Sequence, residues 1–390
     1  MSPTGESAFK EVGGLAELDR NLPLSHKIST VHRVLGDRVG SVDRIAVAVY
    51  EPETDLLKTL VATDLDSNPL THYEARLADC GSLVEVLEQR RPRVIQDLTL
   101  LDTDSASEHT RRILDAGYRT SFTKAMRLNN RFFGFVFFDS TTPRAFVPEV
   151  LGELDLFAHL VSLIVVNEVA AIRTLLAAIR TAREMTNQRD SETGAHVDRM
   201  ARYSRLIALE LADKHGFDDE YLEHVFLFAP LHDIGKLAVA DRVLLKPGRL
   251  TEAEMQLMRT HVARGQELVD SMLQNFGLDS FQHIEMLRNI VLCHHESLNG
   301  TGYPRGLRGS EIPIEARIIA VADVFDAMTS ARPYKEAWTN DEAFSALQRL
   351  AGAELDKECV EALMLRTAEV EEIQSRFSQG TLTAVDRTPK

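Results

Sequence analysis

Two histidine-containing stretches stand out in the second half of this chain: His232-Asp-Ile-Gly-Lys236 and, about sixty residues later, His294-His-Glu-Ser-Leu-Asn-Gly-Thr-Gly-Tyr-Pro304. His261 lies between them. A single histidine on a helix is most often a surface residue, or a core residue whose hydrogen bonds are satisfied. Several histidines and carboxylates in separate motifs are different, because a bundle of helices can bring them together around metal ions. The pattern therefore favours a metal centre.

Further candidate ligands lie on either side of these stretches. Glu192 and His196 are spaced i and i+4 in a predicted helix, which puts a carboxylate and an imidazole on one face, able to bind one ion. Asp323 lies in the apolar run 318–325, where burial of an unpaired carboxylate is costly and a metal ion is the natural compensation. Mixed imidazole and carboxylate ligation suits iron, manganese or zinc. His224, two helical turns before His232, could support this site, but a surface or core role is the favoured interpretation.

These motifs resemble those of a known enzyme family. The first stretch resembles the signature of the HD hydrolase superfamily, whose members are all-helical, metal-dependent phosphohydrolases. The second resembles the HHExxxGxGYP hallmark of the HD-GYP subfamily, and the segment 312–335 resembles that subfamily almost residue for residue. The resemblance covers about residues 180–370. It implies a C-terminal all-α HD-type bundle that hydrolyses cyclic di-GMP to pGpG, GMP or both.

The resemblance also implies a metal centre with two or three divalent ions, most often iron and alternatively manganese. The residues that match family ligands are Glu192, His196, His232, Asp233, His261, His294, His295 and Asp323. In this scheme Asp233 bridges two ions, and Glu192 with His196 matches members that hold a third. The catalytic residues would be His232, Asp233 and Lys236.

Substrate contacts follow from the same motifs. The matching positions are Lys236, Gly302, Tyr303, Arg332 and Lys335. Lysine and arginine can meet phosphates, glycine lets backbone approach a ligand, and tyrosine can stack on a guanine. The sequence departs from the family at Leu298 and Asn299, where a Trp-Asp pair is frequent. This departure leaves open whether cyclic di-GMP or 3′3′-cyclic GMP-AMP is preferred. A catalytically silent dinucleotide receptor is the alternative from another functional class.

The first part of the chain predicts an α+β domain with an antiparallel sheet. A hairpin is predicted from 45–50 and 57–61, and another from 120–128 and 131–139 around Asn129-Asn130, a pair that tolerates a tight turn. A short helix is predicted from Ser82 to Gln89, capped by Ser82. Residues 20–165 resemble a GAF domain, which implies a sensor of an unknown small ligand. Cys80 is interpreted as a plain buried thiol.

A long helix is predicted from about Pro148 to Asn187 and connects the two domains. Its apolar stripe consists of Val161, Val165, Val169, Ile172, Leu176 and Ile179. The stripe could pack on its own domain, but it crosses the boundary between two domains. We therefore expect it to pair with a second copy in a homodimer.

Composition sets the remaining expectations. The chain has 390 residues, so two domains are expected: a sensor at 1–150, a connecting and dimerisation helix at 151–187, the HD-GYP domain at 188–375 and a flexible tail at 376–390. The net charge of −15 disfavours binding to DNA or RNA. Three separated cysteines and the lack of a signal peptide predict a cytoplasmic protein without membrane insertion.

Overall fold

A computed structural model describes residues 14–63, 68–101, 107–185, 194–277, 283–330 and 336–377. The strands are β1 (Arg44–Glu51), β2 (Leu56–Ala62), β3 (Glu74–Arg76), β4 (Arg93–Ile95), β5 (Thr120–Leu128) and β6 (Arg131–Ser140). The helices are α1 (Leu24–Val39), α2 (Gly81–Gln89), α3 (Glu108–Asp115), α4 (Pro148–Met185), α5 (Gly194–Glu210), α6 (Ala212–His215), α7 (Asp219–Phe228), α8 (Asp241–Leu244), α9 (Glu252–Arg259), α10 (His261–Phe276), α11 (Ile284–Cys293), α12 (Ile314–Thr329), α13 (Asn340–Leu350), α14 (Lys357–Leu365) and α15 (Thr367–Arg376). The chain divides into two compact units inside α4, between Ala171 and Ile172, with residues 218–220 grouped with the first unit.

The first unit contains a six-stranded sheet in the order β3-β2-β1-β6-β5-β4, antiparallel throughout. Both predicted hairpins form. Asn129 and Asn130 have φ values of 50° and 63°, the left-handed region that the two-residue turn between β5 and β6 requires. Gly134 allows β6 to approach β1, because a Cβ at this position would lie 2.0 Å from the carbonyl oxygen of Ala48.

The sheet is covered on both faces, as its alternating side chains dictate. On β6, Val136 and Phe138 belong to a core that includes α1 and α4, whereas Phe135 and Phe137 belong to a second core with α2 and Cys80. The predicted cap of α2 is wrong. The helix begins at Gly81, its N-cap is Cys80, and no side chain caps it, because a preceding 3-10 turn leads directly into it. Cys80 is buried, as expected for a plain thiol.

The apolar stripe of α4 that was expected to pair with a second copy is buried within the chain itself where it is described. Val161, Val165 and Val169 are buried in the core of the first unit, and Ile172 is buried in the core of the second. The described part of the predicted stripe is therefore covered by the chain itself, and the side chains of Leu176 and Ile179 lie outside the described residues. By length and composition, residues Pro148–Thr174 could cross a membrane, with a mean hydropathy of 1.7. Since 53% of that apolar window is buried in the protein, this is weak support for a span.

The second unit is helical. Its described residues contain isolated bridges, Asn299 with Arg308 and Ala351 with Leu355, but no strand. Its core is formed mainly by α5, α7, α11, α12 and α14. The predicted fold class is confirmed: an α+β unit with an antiparallel sheet, a long helix, and a C-terminal helical unit. The predicted tail falls mostly on residues 378–390, which lie outside the described residues.

Candidate metal centre

Several elements of the second unit contribute side chains to one centre. His196 lies on α5, and His232 and Asp233 lie between two short 3-10 turns, Ala229–Leu231 and Ile234–Ala238. His261 is the first residue of α10. The remaining members are His294 and His295 after α11, and Asp323 on α12. Residues separated by more than a hundred positions in the sequence therefore meet, as expected for a bundle.

The ligand atoms form two groups that adjoin at His232 and Asp233. Asp233, His261, His294 and His295 form one group, and His196, His232 and Asp323 form the other, with the ligand atoms of each group within 4.8 Å of one another. The two oxygens of Asp233 face different partners. Oδ1 is 3.1 Å from His261 Nε2 and 3.7 Å from His294 Nε2, whereas Oδ2 is 3.1 Å from His232 Nε2. Each oxygen of Asp233 therefore adjoins a different group of candidate ligands.

Backbone carbonyls orient three of the histidines. Nδ1 of His232 lies 2.9 Å from Ala229 O, and Nδ1 of His261 lies 2.9 Å from Met258 O. Nδ1 of His294 lies 3.0 Å from Ile290 O. A carbonyl only accepts hydrogen bonds, so each Nδ1 carries the proton and each Nε2 presents a lone pair to the centre.

The electrostatics of the centre suit cations. Asp233 is buried, which alone would raise its pKa, but the adjacent His232 imidazole and the Lys236 ammonium group hold the pKa well below its usual range. Burial lowers the pKa of His294 and of His295 more than the adjacent Asp233 raises it, so both rings stay neutral at neutral pH. Among the described residues, Asp233 Oδ1, His261 Nε2 and His294 Nε2 are buried without a hydrogen-bond partner. Buried atoms of this kind are costly unless an ion binds them, so the residues present fit divalent metals.

Two glycines allow the elements to pack closely enough for this geometry. A Cβ on Gly235 would lie 1.8 Å from the carbonyl oxygen of His261, and one on Gly265 would lie 2.7 Å from Val291 Cγ1. The turn that carries Asp233 can therefore rest against the start of α10 only because residue 235 has no side chain.

The loop after His295 is held by a buried carboxylate. Glu296 accepts hydrogen bonds from the backbone N–H groups of Arg305 (2.7 Å) and Leu307 (3.0 Å). Gly302 packs against the backbone of residues 296 and 297, where a Cβ would approach Ser297 N to 2.3 Å. The need for glycine at 302 is thus explained by packing within the loop. Leu298, one of the departures from the family pattern, packs in a small apolar cluster with Leu292 and Ile312.

Lys236 and Tyr303 border the centre. Lys236 Nζ lies 2.8 Å from Asp233 Oδ2. The ring of Tyr303 lies 4.8 Å from that of His295, centroid to centroid, and the Arg259 guanidinium lies 5.1 Å from the Tyr303 centroid. Burial raises the pKa of the Tyr303 hydroxyl, so it remains a neutral hydrogen-bond donor.

Sequence reasoning missed two residues at this centre. Arg259 belongs to none of the motifs and lies at the centre only through its contact with Tyr303. Asp326 lies fully buried on α12 and accepts a hydrogen bond from His196 Nδ1 at 2.6 Å. The signal for Asp326 was present, because the argument that singled out Asp323 in an apolar run applies equally to a carboxylate three residues later.

Some predicted site residues are not placed at the centre. Glu192, Arg332 and Lys335 lie outside the described residues. His224 stacks on His283, with ring centroids 4.2 Å apart, and belongs to neither of the two groups. Cys293 precedes His294, but burial raises the pKa of its thiol to about 11, so it is a neutral buried thiol and not a thiolate ligand.

Comparisons with known proteins agree with this geometry. A family model described as HD domain matches residues 181–359. The cyclic di-GMP phosphodiesterase response regulator RpfG of Xanthomonas campestris pv. campestris is 46% identical over 193 residues, covering 50% of this chain and 48% of that protein. A cyclic di-GMP phosphodiesterase of Thermotoga maritima is 37% identical over 202 residues, covering 52% of each. The 3′3′-cGAMP-specific phosphodiesterase 2 of Vibrio cholerae is 36% identical over 176 residues, covering 45% of this chain and 32% of that protein.

The chain thus spans about half or less of the length of these curated relatives. Among solved structures, the GAF domain/HD domain protein from Geobacter sulfurreducens is 15% identical with a TM-score of 0.29, covering 37% of this chain and 93% of that chain. A similarity at this level carries no functional inference. The match of residues 181–359 to the HD domain model and the curated relatives thus fall on the same part of the chain as the convergent histidines and carboxylates.

Proposed function

We propose that this chain is a metal-dependent phosphodiesterase that hydrolyses a cyclic dinucleotide, with cyclic di-GMP as the preferred substrate. The observation that carries this proposal is Asp233, whose two oxygens face separate sets of imidazoles. The curated relatives named above are phosphodiesterases of cyclic di-GMP or of 3′3′-cyclic GMP-AMP, which supports the substrate class.

The proposed ligands are the two groups around Asp233, completed by Glu192 if a third ion binds. Iron is the expected metal and manganese the alternative, since both accept imidazole and carboxylate ligands. When bound, divalent ions supply Lewis acidity to phosphoryl oxygens and make water nucleophilic at neutral pH.

The protein's own residues then bind and orient the substrate. Lys236 lies beside Asp233 with its ammonium group near the centre, where it can pair with a phosphate oxygen. Tyr303 offers a ring on which a guanine can stack. Arg259 lies over the same ring, where its guanidinium can bind a phosphate of the substrate. Arg332 and Lys335 complete the proposed phosphate contacts.

A direct assay tests the proposal. Purified protein is loaded anaerobically with Fe(II) or with Mn(II) and incubated with cyclic di-GMP, 3′3′-cyclic GMP-AMP and linear pGpG. We expect the fastest turnover with cyclic di-GMP, and release of pGpG, GMP or both. Faster turnover of 3′3′-cyclic GMP-AMP would assign the chain to the other substrate. Dinucleotide binding without turnover of any substrate, with metal bound, would favour a silent receptor and contradict the enzyme.

We also propose that the chain forms a parallel homodimer through α4, but through a different stripe from the one predicted. The residues of this stripe are spaced alternately by four and three: Leu156, Leu160, Leu163, Asn167, Ala170, Thr174 and Ala177. Leu156 and Leu163 are 60% and 49% exposed. Such spacing is that of a coiled-coil seam, and a single asparagine in it is a known means of fixing register in a dimer.

The first unit is proposed to sense a small molecule. It presents a cation beside an aromatic ring, with the Arg112 guanidinium 5.1 Å from the Tyr73 centroid. Such a pair suits a flat or anionic ligand. A thermal-shift screen of the full chain against nucleotides and aromatic metabolites tests this, and a hit should lose its effect in Arg112→Ala.

A further inference from the structure

Asp326 is the most completely bonded carboxylate near the metal centre. It lies on α12, about one helical turn beyond Asp323, and is 0% exposed. Its Oδ2 lies 2.6 Å from His196 Nδ1 and accepts from Arg199 Nη2 (2.9 Å) and Ser330 Oγ (3.0 Å), while its Oδ1 accepts from Arg199 Nε (2.6 Å). These contacts tie α12 to α5.

We propose that Asp326 is a positioning residue that fixes His196 as a ligand for the ion held with His232 and Asp323. The inference rests on the proposed metal centre. A carboxylate whose two oxygens each accept from a guanidinium nitrogen is an acceptor, so Nδ1 of His196 carries the proton and Nε2 carries the lone pair. That Nε2 lies 3.8 Å from Asp323 Oδ1, on the side of the second ligand group.

His196 differs in this respect from the other histidines of the metal centre whose Nδ1 partner is defined. Backbone carbonyls orient His232, His261 and His294, and no substitution removes a carbonyl. The orientation of His196 depends instead on a side chain. Asp326 therefore gives a way to weaken one ligand group while leaving the ligands of the other intact.

The guanidinium of Arg199 holds Asp326 in place. Besides its bonds to Asp326, Arg199 donates from Nη1 to the carbonyl oxygen of Phe377 at 2.8 Å and from Nη2 to Ser330 Oγ at 2.7 Å. The planar guanidinium of Arg199 thus fixes the Asp326 carboxylate on one side, and His196 contacts it on the other. A carboxylate held this way restricts both the tautomer and the rotation of the imidazole.

Titration with Mn²⁺ alone, followed by calorimetry and metal analysis, tests the proposal. In Asp326→Asn we expect the ion at the His196 group to bind about 10–100-fold more weakly. The ion at the His261 group should bind as in the wild-type protein. Asp356→Asn is the matched control: it alters another Arg–Asp pair of the same unit, Arg317 with Asp356 at 2.6 Å, with no contact to His196 among the described residues. Mn²⁺ binding by this control should be unchanged.

A coupling experiment separates positioning from a general structural role. If Asp326 acts through His196, then Asp326→Asn should change Mn²⁺ binding in the wild-type background but not in a His196→Gln background. Equal effects in both backgrounds would overturn the proposal. If Asp326→Asn alone does not fold, because Arg199 remains charged in the interior, the double variant Asp326→Asn/Arg199→Gln removes both charges and is measured in its place.

The outcomes also distinguish this inference from the proposed function. A wild-type protein that binds no Mn²⁺ and no Fe²⁺ would contradict the metal centre itself. Wild-type binding that persists unchanged in the folded Asp326 variants would overturn only the role of Asp326. The Co²⁺-substituted proteins give a second readout, because loss of an imidazole ligand changes the visible spectrum of the variant but not that of the Asp356→Asn control.

Discussion

At the scale of single residues, Asp233 carries the most demanding combination of burial and charge. It is buried with its pKa held low, so its negative charge persists inside the protein and needs cations close by. Lys236 supplies part of this requirement, and metal ions would supply the rest.

The first prediction concerns this residue. Asp233→Ala should abolish hydrolysis and remove bound metal from both groups, because it deletes the one ligand that faces both. Metal content by mass spectrometry and turnover of cyclic di-GMP are the measurements. Asp270→Ala, a carboxylate on α10 paired with Arg288 at 2.8 Å, is the control and should retain both. Hydrolysis that survives in Asp233→Ala would refute the ligand set.

Much of the centre was predictable at this scale, and the reason is chemical. Burial of histidine and aspartate is costly, so a residue of either type within an apolar segment, such as Asp323, can be recognised in the sequence as a candidate ligand. Arg259 could not be predicted, because an exposed arginine is ordinary in sequence and matters here only through its place beside Tyr303. The tautomers of the histidines could not be predicted from the sequence either, since they depend on which backbone carbonyl lies next to each Nδ1.

At the scale of elements, close packing between the turn 234–238 and α10 sets the position of His261. Gly235→Ala should displace His261, because the added Cβ would overlap its carbonyl oxygen. We expect loss of metal affinity and of activity together with destabilisation by about 1–3 kcal/mol, typical of overpacking. Gly152→Ala on α4 is the control, since a Cβ there meets no atom of the described residues within 4 Å. Unchanged metal binding by Gly235→Ala would contradict this account of the packing.

The exposed stripe of α4 makes a separate prediction. Leu163→Glu would place a charge in the centre of the proposed seam and should convert a dimer to a monomer, measured as mass in solution at micromolar concentration. Leu365→Glu alters a leucine that is 71% exposed elsewhere and should leave the mass unchanged. A wild-type protein that is monomeric under these conditions would contradict the dimer.

Elements differed in how far sequence could define them. The β5–β6 hairpin was predicted with its turn, because Asn129-Asn130 has few alternatives. The face of α4 was predicted wrongly. Two apolar stripes run along this helix, and periodicity alone does not say which one the chain covers. The start of α2 was missed because a 3-10 turn replaced the side-chain cap that Ser82 was expected to provide.

At the scale of the whole molecule, two folding units have separate cores, so their stabilities can respond to pH separately. His109 in the first unit lies between Tyr73 and Phe137, with ring centroids 6.0 and 5.3 Å away. Burial, with the charges of Arg44 and Arg93, lowers the pKa of His109 to about 3. The folded unit therefore holds this imidazole neutral.

This yields a prediction with a defined sign. Below about pH 6.5, His109 binds a proton in the unfolded chain but stays neutral in the folded chain. The free energy of unfolding is therefore highest at neutral pH and decreases as the pH falls. Between pH 7 and pH 5 the loss from this group is on the order of 1–2 kcal/mol, because the partly exposed side chain is screened by solvent. Unfolding of the full chain by urea, followed at both pH values, should show a smaller loss in His109→Gln than in the wild type. His159→Gln, an exposed histidine on α4, should match the wild type.

The adjacency of His232 and Asp233 has a consequence for how this centre can be simplified. These consecutive residues belong to different ligand groups, so one peptide bond links the two groups. Only one of the two ligand groups can therefore be removed without affecting the other. An engineer can strip away His196 and Asp323 and retain the ligands of the other ion, but cannot remove Asp233 without taking a ligand from both. A minimal single-ion descendant of this protein would have to be built on Asp233, His261, His294 and His295.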